Sequence, residues 1–322
     1  MEPILYVVIP CYNEEEVITE TTRQLTTKLE KLIADEKVHG KSRVLYVNDG
    51  SKDKTWDLIC DIHQKNKLFA GVNLSRNKGH QNALLAGLLF AKEKADITIS
   101  MDADLQDDID VIDAMLDKYD QGYDVVYGVR SSRETDTFFK KTSAEFFYKI
   151  MRGMGVDLVF NHADCRLMSK RAVEGLERFE EVNLFLRGIV PLIGFPSTVV
   201  EYKRNPRFAG ESKYPLKKMI AFAMEGITSF TNKPIKFISL LGFLTFLVSI
   251  GMFIWILLGK LTGGTVQGWA SILASVWLLG GLQLLSIGII GEYIGKTYLE
   301  TKRRPHYIIQ DIVLEEKAPD AN

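Results

Sequence analysis

The sequence predicts an α/β fold built around a mostly parallel, Rossmann-like sheet. Short apolar runs rich in β-branched residues, such as Val7-Val8-Ile9, alternate with longer segments of helical period. This alternation is typical of βαβ units, in which the strands run parallel and helices cover the sheet. Polar or acidic residues directly follow several of these runs, at the edge where open parallel sheets bind ligands.

Each predicted strand is a short apolar run, and each predicted helix repeats its apolar residues at a period near 3.6. The helix after the third strand is rich in Ala and Leu, and such small residues permit close packing on a sheet. The strands are predicted at 4–9, 43–47, 69–74, 97–101 and 124–128. The helices are predicted from the Asn13-Glu14 loop to about 37 and at 54–65, 81–94 and 110–119.

Composition narrows the function classes. The chain has 322 residues, 46% of them hydrophobic, and a net charge of −1, so it can build a sizeable core. The balanced charge argues against a nucleic-acid binder, and any anionic partner must meet a local basic patch. Cys11, Cys60 and Cys165 lie far apart and match no zinc or disulfide spacing, which suits a reducing compartment.

Two long uncharged stretches in the C-terminal third predict membrane spans. Each exceeds the roughly 20 residues that cross a hydrocarbon core of ~30 Å, which gives transmembrane helices at about 236–258 and 269–292. Lys and Arg lie mainly outside this pair, and no signal peptide pattern precedes the first strand, so the catalytic domain and both termini are expected in the cytoplasm. The prediction is a multi-pass protein of the plasma (inner) membrane. The alternative is a pair of buried helices in a soluble core.

A further segment combines aromatic and basic residues. Residues 138–152 interleave Phe and Tyr with Lys and Arg, which predicts an interfacial amphipathic helix. The alternative is a core-packing helix with solvated lysines.

The predicted organisation is a catalytic domain at 1–213, a juxtamembrane amphipathic helix at 214–234, the two spans within 235–295 and a C-terminal tail at 296–322.

The fourth predicted strand ends in two carboxylates, Asp102 and Asp104, with Gln106 close behind. Such a set of oxygen ligands suits a hard divalent ion that also holds a diphosphate. A pair of this kind alone more often begins a loop and caps a helix. The loops after the first two strands fall at the same edge of a parallel sheet, however, so Tyr12, Glu14 and Asp49 can converge with these acids.

Three motifs together resemble the family 2 glycosyltransferases with a GT-A fold: Pro10-Cys11-Tyr12-Asn13-Glu14, Asn48-Asp49-Gly50-Ser51 and Asp102-Ala103-Asp104. The resemblance implies a nucleotide-sugar donor and Mg²⁺ or Mn²⁺. It implies nucleotide binding by Pro10, Tyr12, Glu14, Asp49 and Asp102, and metal binding by Asp102, Asp104 and Gln106. Asp164 would ordinarily be a turn residue before a strand-like run, but the resemblance implies a catalytic role for Asp164 and for Asp104.

A basic loop resembles the R-x-x-G-x-S-K-Y loop of the polyprenyl-phosphate glycosyltransferases, here at Arg207, Gly210, Ser212, Lys213 and Tyr214. Guanidinium, hydroxyl and ammonium groups around a glycine suit a loop that folds over phosphate. A solvated basic loop is the alternative. The residues predicted to bind the acceptor and the diphosphate are Arg130, Arg133, Arg207, Ser212 and Lys213.

The resemblance therefore implies an inverting transferase that moves a sugar from a UDP-sugar to polyprenyl (undecaprenyl) phosphate. Glucose is the first choice of sugar because the chain resembles bactoprenol glucosyltransferases more than dolichol-phosphate mannose synthases, and a GDP-sugar donor stays open. The alternatives are a processive polysaccharide synthase, whose Q-x-x-R-W motif is missing from this sequence, and a non-catalytic membrane-anchored sugar-nucleotide binding protein. The membrane, a second copy of the chain, a flippase and a downstream transferase are further candidate partners.

Overall fold

The computed structural model describes residues 2–130, 162–203, 233–261 and 268–314. Eight strands in these ranges form one sheet in the order β7-β5-β6-β4-β1-β2-β3-β8. The strands are β1 Leu5–Cys11, β2 Arg43–Asn48, β3 Phe69–Leu74, β4 Ile97–Ser100, β5 Val125–Arg130, β6 His162–Ser169, β7 Ser197–Tyr202 and β8 Ile309–Val313. The helices are α1 Ile18–Ala34, α2 Thr55–Lys65, α3 His80–Ala91, α4 Val111–Asp120, α5 Lys170–Glu177, α6 Leu186–Leu192, α7 Lys233–Leu261 and α8 Trp269–Lys302.

The sheet is mixed rather than mostly parallel. Its centre is parallel, because β1 pairs in parallel with β2 and β4, and β2 with β3. β6 lies between β4 and β5 and runs antiparallel to both. The predicted α/β, Rossmann-like class is confirmed, but the direction of β6 could not be read from the sequence because periodicity records which residues are buried and not which way a strand runs.

Helix α3 packs unusually close to the sheet. A Cβ atom at Gly87 would lie 2.4 Å from Val8 Cγ1 and 2.7 Å from Val47 Cγ2, distances that real Cβ atoms do not reach. The small residues predicted to favour close packing therefore have a direct structural reason at this position. The contact fixes α3, and with it the start of that helix, against β1 and β2.

The C-terminal strand β8 was not predicted from the sequence. It pairs antiparallel with β3, with Asn73 opposite Asp311. A chain of side-chain hydrogen bonds runs beneath this pairing: Asn48 Nδ2 donates to Asn73 Oδ1 at 2.7 Å, and Asn73 Nδ2 donates to Asp311 Oδ2 at 3.0 Å. The end of the chain therefore completes the sheet that carries the first three strands.

The two long C-terminal helices cover the predicted spans, and α8 continues to Lys302, ten residues beyond the predicted end of the second span. Crossing a ~30 Å hydrocarbon core takes about 20 predominantly apolar residues in one helix. Within the described ranges, no helix combines that length with that apolar character. The predicted transmembrane hairpin is therefore unsupported, and the predicted localisation as a multi-pass plasma-membrane protein with both termini in the cytoplasm is wrong.

Several predictions fall outside the described residues. They include the interfacial helix at 138–152, most of the helix at 214–234, and the candidate phosphate-binding residues Arg133, Arg207, Ser212 and Lys213. Arg130 ends β5, and the structure describes its backbone but not its side chain. The domain boundaries stay a prediction.

Candidate active site

The pairing of β4 with β6 brings two predicted site residues together. Ser100 pairs with Arg166 in this antiparallel ladder. Continuing the register by two residues sets Asp102, just after β4, opposite Asp164, near the start of β6. The Ser100 hydroxyl also donates to the Asp164 carbonyl oxygen at 2.6 Å, which fixes the start of β6 against the end of β4.

His80 lies between these two carboxylates. Its Nε2 atom is 3.7 Å from Asp102 Oδ1 and 3.7 Å from Asp164 Oδ2. His80 is the first residue of α3 and follows Gly79, whose φ is +89°. This histidine was not predicted from the sequence. The available signal was its place at the start of a helix that follows a parallel strand, which puts it at the ligand-binding edge.

Asp49 fixes the turn that delivers His80. Its Oδ1 accepts from the backbone N–H of Lys78 at 2.7 Å, and its Oδ2 accepts from that of Gly79 at 2.8 Å. Burial raises the pKa of Asp49, and these two N–H groups partly offset the increase. The predicted nucleotide-binding residue is thus also a support for the loop before α3.

Gly50 permits this arrangement. Its φ is +61°, and a Cβ atom there would lie 2.5 Å from the carbonyl carbon of Arg76 and 2.6 Å from the nitrogen of Asn77. Any other residue would push this backbone away. The glycine of the Asn48-Asp49-Gly50-Ser51 motif therefore lets the chain after β3 pass directly over the loop after β2.

Arg187, on α6, forms two hydrogen bonds with Asp164. Arg187 Nε donates to Asp164 Oδ1 and Nη2 donates to Oδ2, both at 3.0 Å. Burial alone would raise the pKa of Asp164, but the charge and hydrogen bonds of Arg187, with smaller contributions from His80 and Arg166, hold it well below its usual range. Asp164 is therefore ionised throughout the neutral range. Arg187 was not predicted from the sequence.

Arg166 adds a deeply buried positive charge beside Asp164. It is 2% exposed, and its guanidinium lies over the Tyr127 ring, 5.5 Å from the centroid. Within the described part of the chain, its Nε and Nη2 atoms have no hydrogen-bond partner. Burial is the main cause that lowers the pKa of Arg166, and the charge of Asp164 opposes this effect.

The pKa of Asp102 is shifted in the opposite direction to that of Asp164. Burial, together with the negative charges of Asp164, Asp107 and Asp104, raises its pKa to about 6, while His80 opposes the rise. Acids crowded in this way disfavour one another's ionised forms. A bound cation would reverse that balance by favouring the ionised form of Asp102.

The cluster of His80, Asp102 and Asp164 fits a divalent metal ion. One ligand atom from each of the three lies within 4.8 Å of the others. Ligands about 2.1 Å from an ion lie at most about 4.2 Å apart, and both distances from His80 meet this limit. One nitrogen and two carboxylates also suit Mn²⁺ chemically.

The predicted ligands Asp104 and Gln106 lie in the loop after Asp102. Asp104 Oδ1 accepts from the Gln106 backbone N–H at 3.2 Å, and Leu105 between them has a φ of +57°. This left-handed conformation costs a residue with a side chain about 1–2 kcal/mol. The loop is anchored by Thr21, whose hydroxyl donates to the Ala103 carbonyl at 2.9 Å. The geometry groups His80 with Asp102 and Asp164, and metal binding by Asp104 and Gln106 stays a prediction.

The loop after β1 is bound to the loop after β2. The Glu14 N–H donates to Thr55 Oγ1 at 2.9 Å, and the Asn13 N–H donates to Ser51 Oγ at 3.0 Å. Pro10 lies within β1, and Tyr12 is 39% exposed beside this contact. The predicted nucleotide-binding residues therefore share the carboxyl edge of the parallel strands.

Comparison with known proteins identifies the family. Residues 6–176 match the family described as "Glycosyl transferase family 2". The glycosyltransferase YkoT of Bacillus subtilis strain 168 is 54% identical over 319 residues, which cover 99% of this chain and 95% of YkoT. The prophage bactoprenol glucosyl transferase homolog of Escherichia coli strain K12 is 37% identical over 310 residues, 95% of this chain and 98% of that protein.

Two further proteins are similar. The bactoprenol glucosyl transferase of Shigella phage SfX is 38% identical over 308 residues, 94% of this chain and 97% of that protein. Among solved structures, glucosyl-3-phosphoglycerate synthase of Mycobacterium tuberculosis superposes with a TM-score of 0.45 at 16% identity, over 70% of this chain and 78% of that one. The family match spans more than half of the chain and includes the strand-end acids. The chain is a glycosyltransferase and belongs to glycosyl transferase family 2.

Proposed function

We propose that this protein is an inverting transferase that moves glucose from UDP-glucose to a polyprenyl phosphate. Relatives named bactoprenol glucosyl transferase, which match nearly the whole chain at 37–38% identity, support the sugar and the lipid acceptor. The membership in a family of transferases sets aside the alternative of a non-catalytic binding protein.

The pairing of Asp164 with Arg187 is the observation that favours a phosphate acceptor. A sugar hydroxyl needs a general base to remove its proton, and a base whose pKa is held far below neutrality performs this poorly. Asp164 is such a group. A phosphate monoester has its second pKa near 6, so it is already largely dianionic at neutral pH and needs little help.

In the proposed reaction, an oxygen of the acceptor phosphate attacks the anomeric carbon of glucose while the bond to the UDP oxygen breaks, and the configuration inverts. Asp164 stays ionised, and its negative charge stabilises the positive charge that develops on the sugar ring. Arg166 and Arg187 offset the concentration of negative charge that the donor and the acceptor bring to this edge.

We further propose that a divalent ion binds at Asp102, with His80 and Asp164 as the candidate further ligands. When bound, Mg²⁺ or Mn²⁺ would neutralise charge on the diphosphate and improve it as a leaving group. Asp104 and Gln106 remain the predicted alternative ligands. Pro10, Tyr12, Glu14 and Asp49 are proposed around the nucleoside, and Arg130, Arg133, Arg207, Ser212 and Lys213 around the phosphates.

The test is a transfer assay with purified protein, labelled donors and a short-chain polyprenyl phosphate, followed by organic extraction. Label from UDP-glucose should enter the organic phase when Mn²⁺ or Mg²⁺ is present and stay aqueous with EDTA or with the unphosphorylated polyprenol. UDP-N-acetylglucosamine and GDP-mannose are the competing donors. No lipid-soluble label with any donor would refute the proposal, and full transfer by D102N at saturating metal would refute the metal role of Asp102.

A further inference from the structure

The C-terminal end of α8 and the segment that follows it contact two separate parts of the catalytic edge. Glu300, on the last turn of α8, accepts three hydrogen bonds through its carboxylate. The backbone N–H groups of Val182 and Asn183 donate at 2.8 and 2.9 Å, and the Asn183 side-chain amide donates at 2.7 Å. A carboxylate that accepts several N–H groups holds them in a defined geometry.

The loop that Glu300 holds leads into the helix of Arg187. Residues 182 and 183 lie three to four positions before α6, which begins at Leu186. Arg187 is the second residue of that helix and makes the two hydrogen bonds to Asp164. The carboxylate of Glu300 therefore lies at the base of the short segment from which Arg187 reaches the site.

Residues 305–308, which follow α8, form hydrogen bonds with the segment on either side of His80. The Ser75 N–H donates to the Ile308 carbonyl at 2.9 Å, and Lys78 Nζ donates to the Pro305 carbonyl at 3.3 Å. His306 Nδ1 lies 3.3 Å from Asn82 Oδ1. These contacts bracket the turn that delivers His80.

The two supported segments are also joined to each other. Gln81, next to His80 on α3, accepts through Oε1 from the Leu186 N–H at 2.7 Å. Its partner is the first residue of α6 and the neighbour of Arg187. The groups that flank Asp164 from α3 and from α6 are thus linked to each other at Leu186, and to Glu300 through the backbone of residues 183–186.

We propose that Glu300 is a positioning residue for the Asp164 site, acting through the 182–186 segment to place Arg187 against the Asp164 carboxylate. Glu300 touches neither Asp164 nor Arg187 in the described contacts, so its effect is indirect. The inference rests on the proposed role of Asp164 in transfer. It assigns to the C-terminal segment, which the sequence suggested was a tail, a part in catalysis.

The experiment compares E300A and E300Q with E292A, a control at an exposed glutamate on the same helix. E300A should lower kcat on the order of tenfold with little change in the KM for the donor, because small misplacements of a positioned group cost rate. E300Q keeps one acceptor oxygen and should lose less. E292A should match the wild type.

A double-mutant cycle with R187A separates positioning from general destabilisation. If Glu300 acts through Arg187, adding E300A to R187A should change kcat less than about twofold, because neighbouring residues of one network are non-additive. Full kcat in E300A, or losses that add independently in the double variant, would overturn the proposal. E300Q carries the same cycle if E300A does not fold.

Hydrogen exchange provides a readout that needs no substrate. The amides of Val182 and Asn183 should exchange faster in E300A than in the wild type or in E292A. Unchanged protection of these amides would contradict the positioning role even if the enzyme transfers glucose as proposed. Faster exchange in a protein that transfers no sugar to any polyprenyl phosphate would instead refute the proposed function and leave the support of the 182–186 segment by Glu300 intact.

Discussion

Arg187 donates one hydrogen bond to each carboxylate oxygen of Asp164, both 3.0 Å long. The pair decides what Asp164 can do. A carboxylate held by a planar guanidinium is fixed in orientation and remains ionised, so it serves as a charge and an orienting group better than as a proton acceptor. This is the chemical reason to favour a phosphate over a hydroxyl as the acceptor.

Replacing Arg187 tests this relationship. R187A should reduce kcat on the order of 100-fold, because Asp164 loses its fixed orientation. R187K should recover only part of that loss, since an ammonium group is a point charge and cannot make the two parallel hydrogen bonds. Steady-state kinetics at saturating donor and acceptor measure both variants. R178A, at an exposed arginine after α5, is the control, and a wild-type rate in R187A would contradict the role given to the pair.

The position of the site at the carboxyl edge of the parallel strands could be predicted from the sequence, but only some of the residues in the site could be. Asp102 and Asp49 could be expected to converge because parallel strands end on one side. Asp164 was found through a family resemblance, since its place opposite Asp102 depends on the direction of β6. His80 and Arg187 were missed because each reaches the site through tertiary contacts between distant segments, and a single histidine or arginine carries no periodic signal.

β8 shows the same limit at the level of the fold. Its five residues, Ile309–Val313, pair with β3, and Asp311 bonds to Asn73 across 238 positions of sequence. Nothing local distinguishes so short a run from an irregular tail. Its position becomes clear only when the exposed edge of β3 and the polar pair of Asn48 and Asn73 are known.

The raised pKa of Asp102 predicts that its ionised form destabilises the metal-free protein, although the residue is needed for transfer. A carboxyl whose pKa is about 6 in the folded protein and 3.8 in the unfolded one binds its proton more tightly when folded. The metal-free protein should therefore lose stability as the pH rises from about 4 to about 7. D102N removes this cost and should raise the free energy of unfolding by about 1–3 kcal/mol at pH 8, while it abolishes transfer.

The same variant has an internal control in pH. At pH 5, in the presence of EDTA, Asp102 is mostly protonated in the folded wild type but already mostly ionised in the unfolded chain, so the gain in unfolding free energy from D102N should be about half of its value at pH 8. Urea unfolding at pH 5 and at pH 8 measures both values. A D102N protein that is less stable than the wild type at pH 8 would show that the ionised Asp102 is stabilised by contacts that outweigh its burial.

Metal affinity distinguishes the two candidate ligand sets around Asp102. If His80 is a ligand, H80A should weaken Mn²⁺ binding about tenfold or more, and D104N should weaken it less. Titration of the free Mn²⁺ signal by electron paramagnetic resonance gives both dissociation constants without any substrate. H39A, at a histidine remote from the site, is the control. The reverse order of effects would favour Asp104 and Gln106 as ligands and leave His80 as an ion-pair partner of the two carboxylates.

Gly50 and Gly122 provide a matched pair of variants that tests how Gly50 supports the loop before His80. Both have positive φ, +61° and +93°, but a Cβ at Gly50 would meet the backbone of Arg76 at 2.5 Å, whereas a Cβ at Gly122 would meet nothing within 4 Å. G122A should lower the free energy of unfolding by about 1–2 kcal/mol, from the left-handed backbone alone.

G50A has the same backbone cost and also creates the clash, which together should lower the free energy of unfolding by about 2–5 kcal/mol. It should also lower kcat, because pushing residues 76 and 77 away moves the Lys78 and Gly79 amides off Asp49. Denaturant unfolding and transfer assays on both variants measure these effects, and equal behaviour of the two would show that Asp49 holds the turn without help from the close passage over Gly50.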